Sequence, residues 1–197
     1  MKNLINWIMI ALTSLSFAQT NPIDRIGLKG PIDLNKTSYS LTWSQKPNAN
    51  YYVQEYLPKG ETVEHFNQLI TVNIFVTDIS VTSAIEQKAQ ELTKRKDTDK
   101  VCNFSIINSP DGSESIIDCL LSSGTNDKLD VLEFIIYKYK QIELDNHKKA
   151  LLVYSYSKRG YGDGITPFLT NLGKFRKDML NVMISKEMPE IKIQGTN

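Results

Sequence analysis

Cys102, Cys119, His65, His147 and two carboxylates set inside apolar runs, Asp118 and Glu133, are the residues of this chain whose types carry reactive chemistry. A thiol nucleophile needs a base beside it. The two histidines are the only candidates, and no CxxC spacing is present to activate either sulfur. Asp118 and Glu133 could do acid–base work if a cleft held them at a glycosidase-like separation. The simpler role for both is the solvent face of a sheet covered on one side. Two histidines and two cysteines without ligand spacing predict no metal centre, and no motif calls for a cofactor. A serine nucleophile of the GxSxG type is absent.

Gly160, Gly162 and Gly164 follow Lys158-Arg159 and lead into a helical pattern. Backbone N–H groups at such a loop, with Arg159 beside them, could hold an anion. The GxGxG spacing, the acid Asp163 and the missing N–H of Pro167 favour a plain strand-to-helix connection with a capped helix start. Tyr137 and Tyr139 share one face of a strand, and Tyr154 and Tyr156 share one face of the next. If odd positions pair with even ones, the four form a cross-strand cluster, usable as a binding face or as packing under a helix.

The cysteines flank a turn, Ser109-Pro110-Asp111-Gly112. A three-residue loop sets Cys102 opposite Leu120. A two- or four-residue loop pairs Asn108 with Ser113, and Cys102 then faces Cys119 while Phe104 faces Ile117. The second register sorts apolar with apolar, so a cross-strand disulfide between Cys102 and Cys119 is expected.

These residues must be placed by their elements. Residues 37–44 alternate through Tyr39, Leu41 and Trp43, and with residues 51–57 predict a hairpin. A short helix is expected in residues 61–68, a strand at 69–77 and an amphipathic helix at 80–96, with Ser83 and Glu86 spaced as a capping box. The charged run 94–100 reads as a solvated connection. The cysteine hairpin, a polar loop at 122–128 and strands at 129–142 and 149–158 follow. Phe168, Leu172, Phe175, Met179 and Val182 then mark a terminal helix that opens at Thr166-Pro167 and ends before Pro189. The fold class is α+β, a single antiparallel sheet of about seven strands covered by two main helices. The chain divides into a segment 1–18, an irregular arm 19–36, one domain 37–188 and a flexible tail 189–197.

That element order resembles the PsbP-like fold, which implies an exported accessory role and transfers no site residue. The stretch Tyr52-x-Gln54-Glu55-Tyr56-Leu57-Pro58-x-Gly60-Glu61 resembles a segment of uncharacterised exported bacterial proteins.

Residues 1–18 have a basic start, an apolar stretch and small residues at Ser16 and Ala18, the layout of a secretory signal peptide cleaved after Ala18. The expected location is therefore periplasmic or secreted, with no membrane span in the mature chain. The 23 basic and 22 acidic residues become 22 and 22 after cleavage, since only Lys2 is lost. A neutral, scattered charge excludes a phosphate-backbone binder. The expected function is a non-catalytic envelope module that binds a protein partner through a sheet face or edge. The alternative is a carrier of a small apolar ligand in a pocket between sheet and helices, with Phe168, Phe175 and the strand tyrosines lining it. A hydrolase built on Asp118 or Glu133 ranks third.

Overall fold

The computed structural model describes residues 22–125, 128–145 and 147–193. The expected signal peptide lies outside the described residues. Eight strands form one sheet in the order β1-β2-β3-β4-β8-β7-β6-β5, every neighbour antiparallel. They are β1 (Ile32–Leu34), β2 (Thr37–Asn48), β3 (Tyr51–Leu57), β4 (Gln68–Val76), β5 (Asn103–Asn108), β6 (Glu114–Thr125), β7 (Lys128–Glu143) and β8 (Lys149–Tyr161). Helix α1 (Val81–Arg95) joins β4 to β5, and α2 (Ile165–Ser185) follows β8. The architecture is α+β, as the alternation of periods requires, with eight strands rather than about seven.

The additional strand, β1, lies in the segment read as an irregular arm. Asn35 and Lys36, both at positive φ, turn the chain back so that Ile32 faces Tyr39. The short helix expected at 61–68 does not form. Glu61 instead accepts the N–H groups of Asn67 and Gln68 at 2.7 and 3.0 Å, fixing an irregular loop whose Phe66 packs on Leu57 and Leu69.

Each helix covers one face. Helix α1 is capped by Ser80, whose Oγ accepts from the Ser83 N–H at 3.1 Å, so the cap lies three residues before the one expected. Its Val81, Ala84, Ile85 and Leu92 bury against Cys102, Ile117, Cys119, Ile135, Leu151 and Val153. The run 94–100 is not simply solvated. Asp99 is buried and accepts from Ser122 N, Ser122 Oγ and Arg95 Nε at 2.7, 2.6 and 3.1 Å, which pins the end of α1 to β6. Helix α2 lies on the opposite face, where Met179, Leu180 and Met183 meet Phe134, Ile136, Leu152, Tyr154 and Tyr156.

Two charged clamps hold α2 down. Arg176 donates to both oxygens of buried Asp118, Nε to Oδ2 at 2.7 Å and Nη2 to Oδ1 at 2.8 Å. Buried Lys138 donates to the carbonyls of Ile184 and Lys186 at 3.3 and 2.7 Å and pairs with Glu114 at 2.9 Å. Its ammonium thus sits where the helix ends in unpaired carbonyls and partial negative charge.

The tail, expected to be loosely held, packs on the domain where it is described. Lys192 N–H donates to Ile26 O at 2.9 Å, and Ile26 and Ile191 are both buried in the α2-side core. Gly27 permits this approach. It has φ +73°, and a Cβ there would stand 2.9 Å from Lys192 Cβ. Gln54 and Tyr56 of the Tyr-x-Gln-Glu-Tyr stretch anchor the same arm: Gln54 accepts from Arg25 N–H at 2.5 Å, and both side chains donate to Leu28 O. Ile191 is 7% exposed, so Ile191→Ala is expected to lower unfolding stability by about 2–3 kcal/mol. Urea denaturation checks it, and an unchanged midpoint shows the tail to be idle.

Candidate functional site

Most of the residues singled out in the sequence are not brought together. Cys102 and Cys119 are buried free thiols, not a disulfide. The β5–β6 register pairs Phe104 with Cys119, because the hairpin closes one step further on, at Ser109 N–H to Glu114 O. Cys102 instead packs near α1, its Sγ donating to Leu92 O at 3.4 Å. Burial pushes both thiols above their ordinary range. Neither histidine serves them: His65 stacks on Tyr161, and His147 pairs with Glu143.

The four tyrosines do not form one cluster. Tyr137 pairs with Ser155 and Tyr139 with Val153, so odd residues meet odd. Tyr137 and Tyr139 face α1, while Tyr154 and Tyr156 lie under α2. Helices cover both pairs, which removes the open aromatic face. Asp118 and Glu133 also point to opposite sides, the first to Arg176 and the second to Arg159 at 3.0 Å. They share no cleft, and neither is an open solvent-face residue. Among the described residues no group of three or more His, Cys, Asp or Glu is placed to hold a metal, and no helix is long and apolar enough to cross a membrane.

What the structure does assemble is a groove of about 500 Å³ between the end of β8 and the first half of α2. Strand β8 continues through Gly160 to Tyr161, where the sequence read a loop. A single 3₁₀ turn, Gly162–Gly164, then leads into α2, so Gly164 and not Thr166 is the N-cap. Gly160 lets the helix come close, since a Cβ there would stand 3.1 Å from Phe168 Cβ. Phe168, Leu172 and Phe175 on α2 form the apolar wall, and Asn67 and Asn171 add amides to the lining.

Lys158 supplies the charge. Its Nζ lies 5.2 Å from the centre of the Phe175 ring. Among the described residues no carboxylate lies within 4 Å of it. Burial lowers its pKa from the ordinary lysine value, and Glu61, acting through space, offsets part of that. The ammonium has therefore given up water without gaining an anion. Arg159 has its guanidinium engaged by Glu133 and stacked 4.1 Å from the Phe66 centroid. Of the expected anion loop, then, Arg159, Gly160 and Gly164 line the groove, Gly162 does not, and the available cation is the neighbouring Lys158.

A second polar cluster lies on the α1 side of the sheet, beyond the helix. Glu55 of β3 stands between Trp43 and Thr71 in the ladder. Among the described residues its carboxyl has no hydrogen-bond or ion-pair partner. Burial pushes its pKa up to about 7, Arg159 pulls it down, and Glu133 and Glu64 push it up. The sequence showed Glu55 only within the Tyr-x-Gln-Glu-Tyr stretch. Its alternation with Val53 and Leu57 was the signal that it shares their face.

An uncharacterised protein family has a model that matches residues 26–188. No curated protein matches the chain.

Proposed function

We propose that this chain, which belongs to the uncharacterised family matched over residues 26–188, is an exported binding protein that holds a small amphipathic anion in the groove between β8 and α2. The observation that carries the reading is Lys158, a half-buried ammonium without a carboxylate partner, set at the polar end of a phenylalanine- and leucine-lined wall. The volume falls in the range of small-molecule sites, and a few polar groups in a mainly apolar lining is how such sites fix a ligand's orientation. A point-like ammonium suits a carboxylate, and the apolar wall suits an acyl or aromatic body. The export half of the reading rests on the signal-peptide pattern of residues 1–18 and on the PsbP-like element order. The envelope-module reading loses its main support, because the tyrosines meant to form its face lie under the two helices.

Calorimetric titration of the chain with decanoate, beside decanamide as its neutral match, tests the reading. Decanoate is expected to bind and decanamide to bind more weakly. Lys158→Met is expected to weaken decanoate about ten- to hundredfold, the factor a charge-assisted hydrogen bond supplies. Equal binding of acid and amide, or unchanged binding by the variant, overturns it.

A further inference from the structure

The two edges of the sheet are built differently. On the β1 side, β1 pairs only with Thr37–Tyr39, which leaves the outer edge of β2 open from Ser40 onward. That stretch has register shifts at 41–43 and 45–48 and contains Lys46 and Pro47, and Ser44 Oγ donates to Ile23 O of the arm at 2.6 Å. Bulges, lysine, proline and a covering segment are the usual devices that stop strands adding to an edge. Strand β5 itself carries none of them, the nearest being Lys96 from the end of α1, whose Nζ lies 4.8 Å from the Phe104 ring centre. Its sequence, Asn-Phe-Ser-Ile-Ile-Asn, holds no charge and no proline, and its six residues pair with β6 without a bulge.

The register shows which backbone groups this edge offers. Ser109 N–H donates inward to Glu114 O, so by antiparallel alternation Ile107, Ser105 and Asn103 bond to β6. Phe104, Ile106 and Asn108 then direct their N–H and C=O groups outward, and of these the Phe104 N–H donates to the neighbouring Asn103 Oδ1 at 3.0 Å, a bond that an added strand must replace. Ile106 on the α1 side and Ile107 on the α2 side are 40% and 37% exposed, both among the large apolar side chains left open on this chain. Only an extended strand matches such a row, and it must be uncharged and apolar on both faces.

We propose that the occupant is a second copy of β5, added antiparallel about a two-fold axis through Ile106. Outward groups must meet outward groups with side chains on matching faces, so residue numbers in each pair share parity. The register that uses all three outward residues sets Ile106 against the partner's Ile106, and Phe104 against the partner's Asn108. The same strand is then its own complement, and Ile106 and Ile107 are covered on both faces at once. The result is a continuous sheet across two chains. This inference rests on the edge alone and stands apart from the groove.

Sedimentation equilibrium of the full chain is expected to show a monomer–dimer equilibrium at micromolar to millimolar concentration. Ile106→Pro removes only an N–H that β6 does not use, so the fold is kept and the dimer is lost. Ile106→Lys sets two ammonium groups face to face and gives the same loss. Far-UV circular dichroism of both variants confirms that they remain folded. Ile106→Cys is expected to form a covalent dimer on mild oxidation, because the two Cα atoms of a hydrogen-bonded pair lie within disulfide reach. Ser105→Cys is not, since position 105 faces the partner's Ile107. A chain that stays monomeric throughout, a dimer that survives Ile106→Lys, or a monomer that takes a foreign strand at this edge overturns the proposal.

Discussion

Lys138→Ala lowers the unfolding free energy by about 3–5 kcal/mol, the range for removing one partner from a buried charged network. The side chain is 4% exposed, and its ammonium serves Glu114 and the two terminal carbonyls of α2 together. Its loss takes the donor from both carbonyls and leaves Glu114 with Lys140 alone. Lys140 is the control. It pairs with the same Glu114 at 3.1 Å but is 39% exposed, so Lys140→Ala costs under about 1 kcal/mol. Urea denaturation of the two variants side by side measures the difference. Equal losses refute the account of Lys138 as the clamp on α2, because the acid is shared and only burial and the helix carbonyls distinguish the lysines. Lys138→Met keeps most of the stem's packing and still loses the donors, so it falls near the alanine variant.

Glu55→Gln is expected to raise stability at pH 8 by about 2–3 kcal/mol and to leave it unchanged near pH 4. The sign follows from the direction of the shift. Burial holds the folded carboxyl at about 7 against an ordinary 4.5. Between those values the folded chain keeps a proton that the unfolded chain has released. Stability is therefore full below 4.5 and falls as pH rises through 7, where the folded group must ionise. Glutamine never ionises, so the variant escapes the loss. Arg159 faces the carboxyl with an opposing effect, and Glu133 and Glu64 add to the shift. Thermal melts of both proteins from pH 4 to pH 8 give the difference curve. A variant less stable than the parent at pH 8 means that Glu55 is ionised there and satisfied.

The main elements were legible where a period ran long enough. Tyr39, Leu41 and Trp43 marked β2, and Phe168 through Val182 marked α2. Strand β1 was hidden by its three residues and by a turn, Asn35-Lys36, that takes two positive φ angles without a glycine. Hairpin parity was hidden more deeply. The β7–β8 turn closes between Leu144 N–H and Lys148 O, which pairs odd residues with odd and sends the two tyrosine pairs to opposite faces. One residue more or less in that loop would have joined them. At the cysteine hairpin, Asp111 accepts from Ser109 Oγ and Ser113 N–H, which fixes a turn one step beyond the one that apolar sorting favoured.

The groove was half visible. Phe168 and Phe175 followed from helical spacing, but Lys158 acquires its meaning only once β8 continues through Gly160, and glycines beside Gly162 and Gly164 read as loop. Asp118 stood out as a charge in an apolar run, but the pairings that make the clamps did not. Asp118 and Lys138 are charges in apolar strands whose partners lie 58 and 48 positions away, Arg176 and the carbonyl of Lys186, and no local pattern encodes such a pairing.

The place of β8 in the sheet has a consequence for how the chain comes into being. Strands β1 to β4 form one run of local hairpins and β5 to β8 another, and the two runs meet only where Gln68–Val76 pairs with Ala150–Lys158. A ribosome delivers β8 last of all the strands. Until it emerges, the nascent chain holds two half-sheets, each with an open inner edge and no shared core, and the join waits on a contact of high sequence separation. A chain built this way reaches its native state only near the end of synthesis.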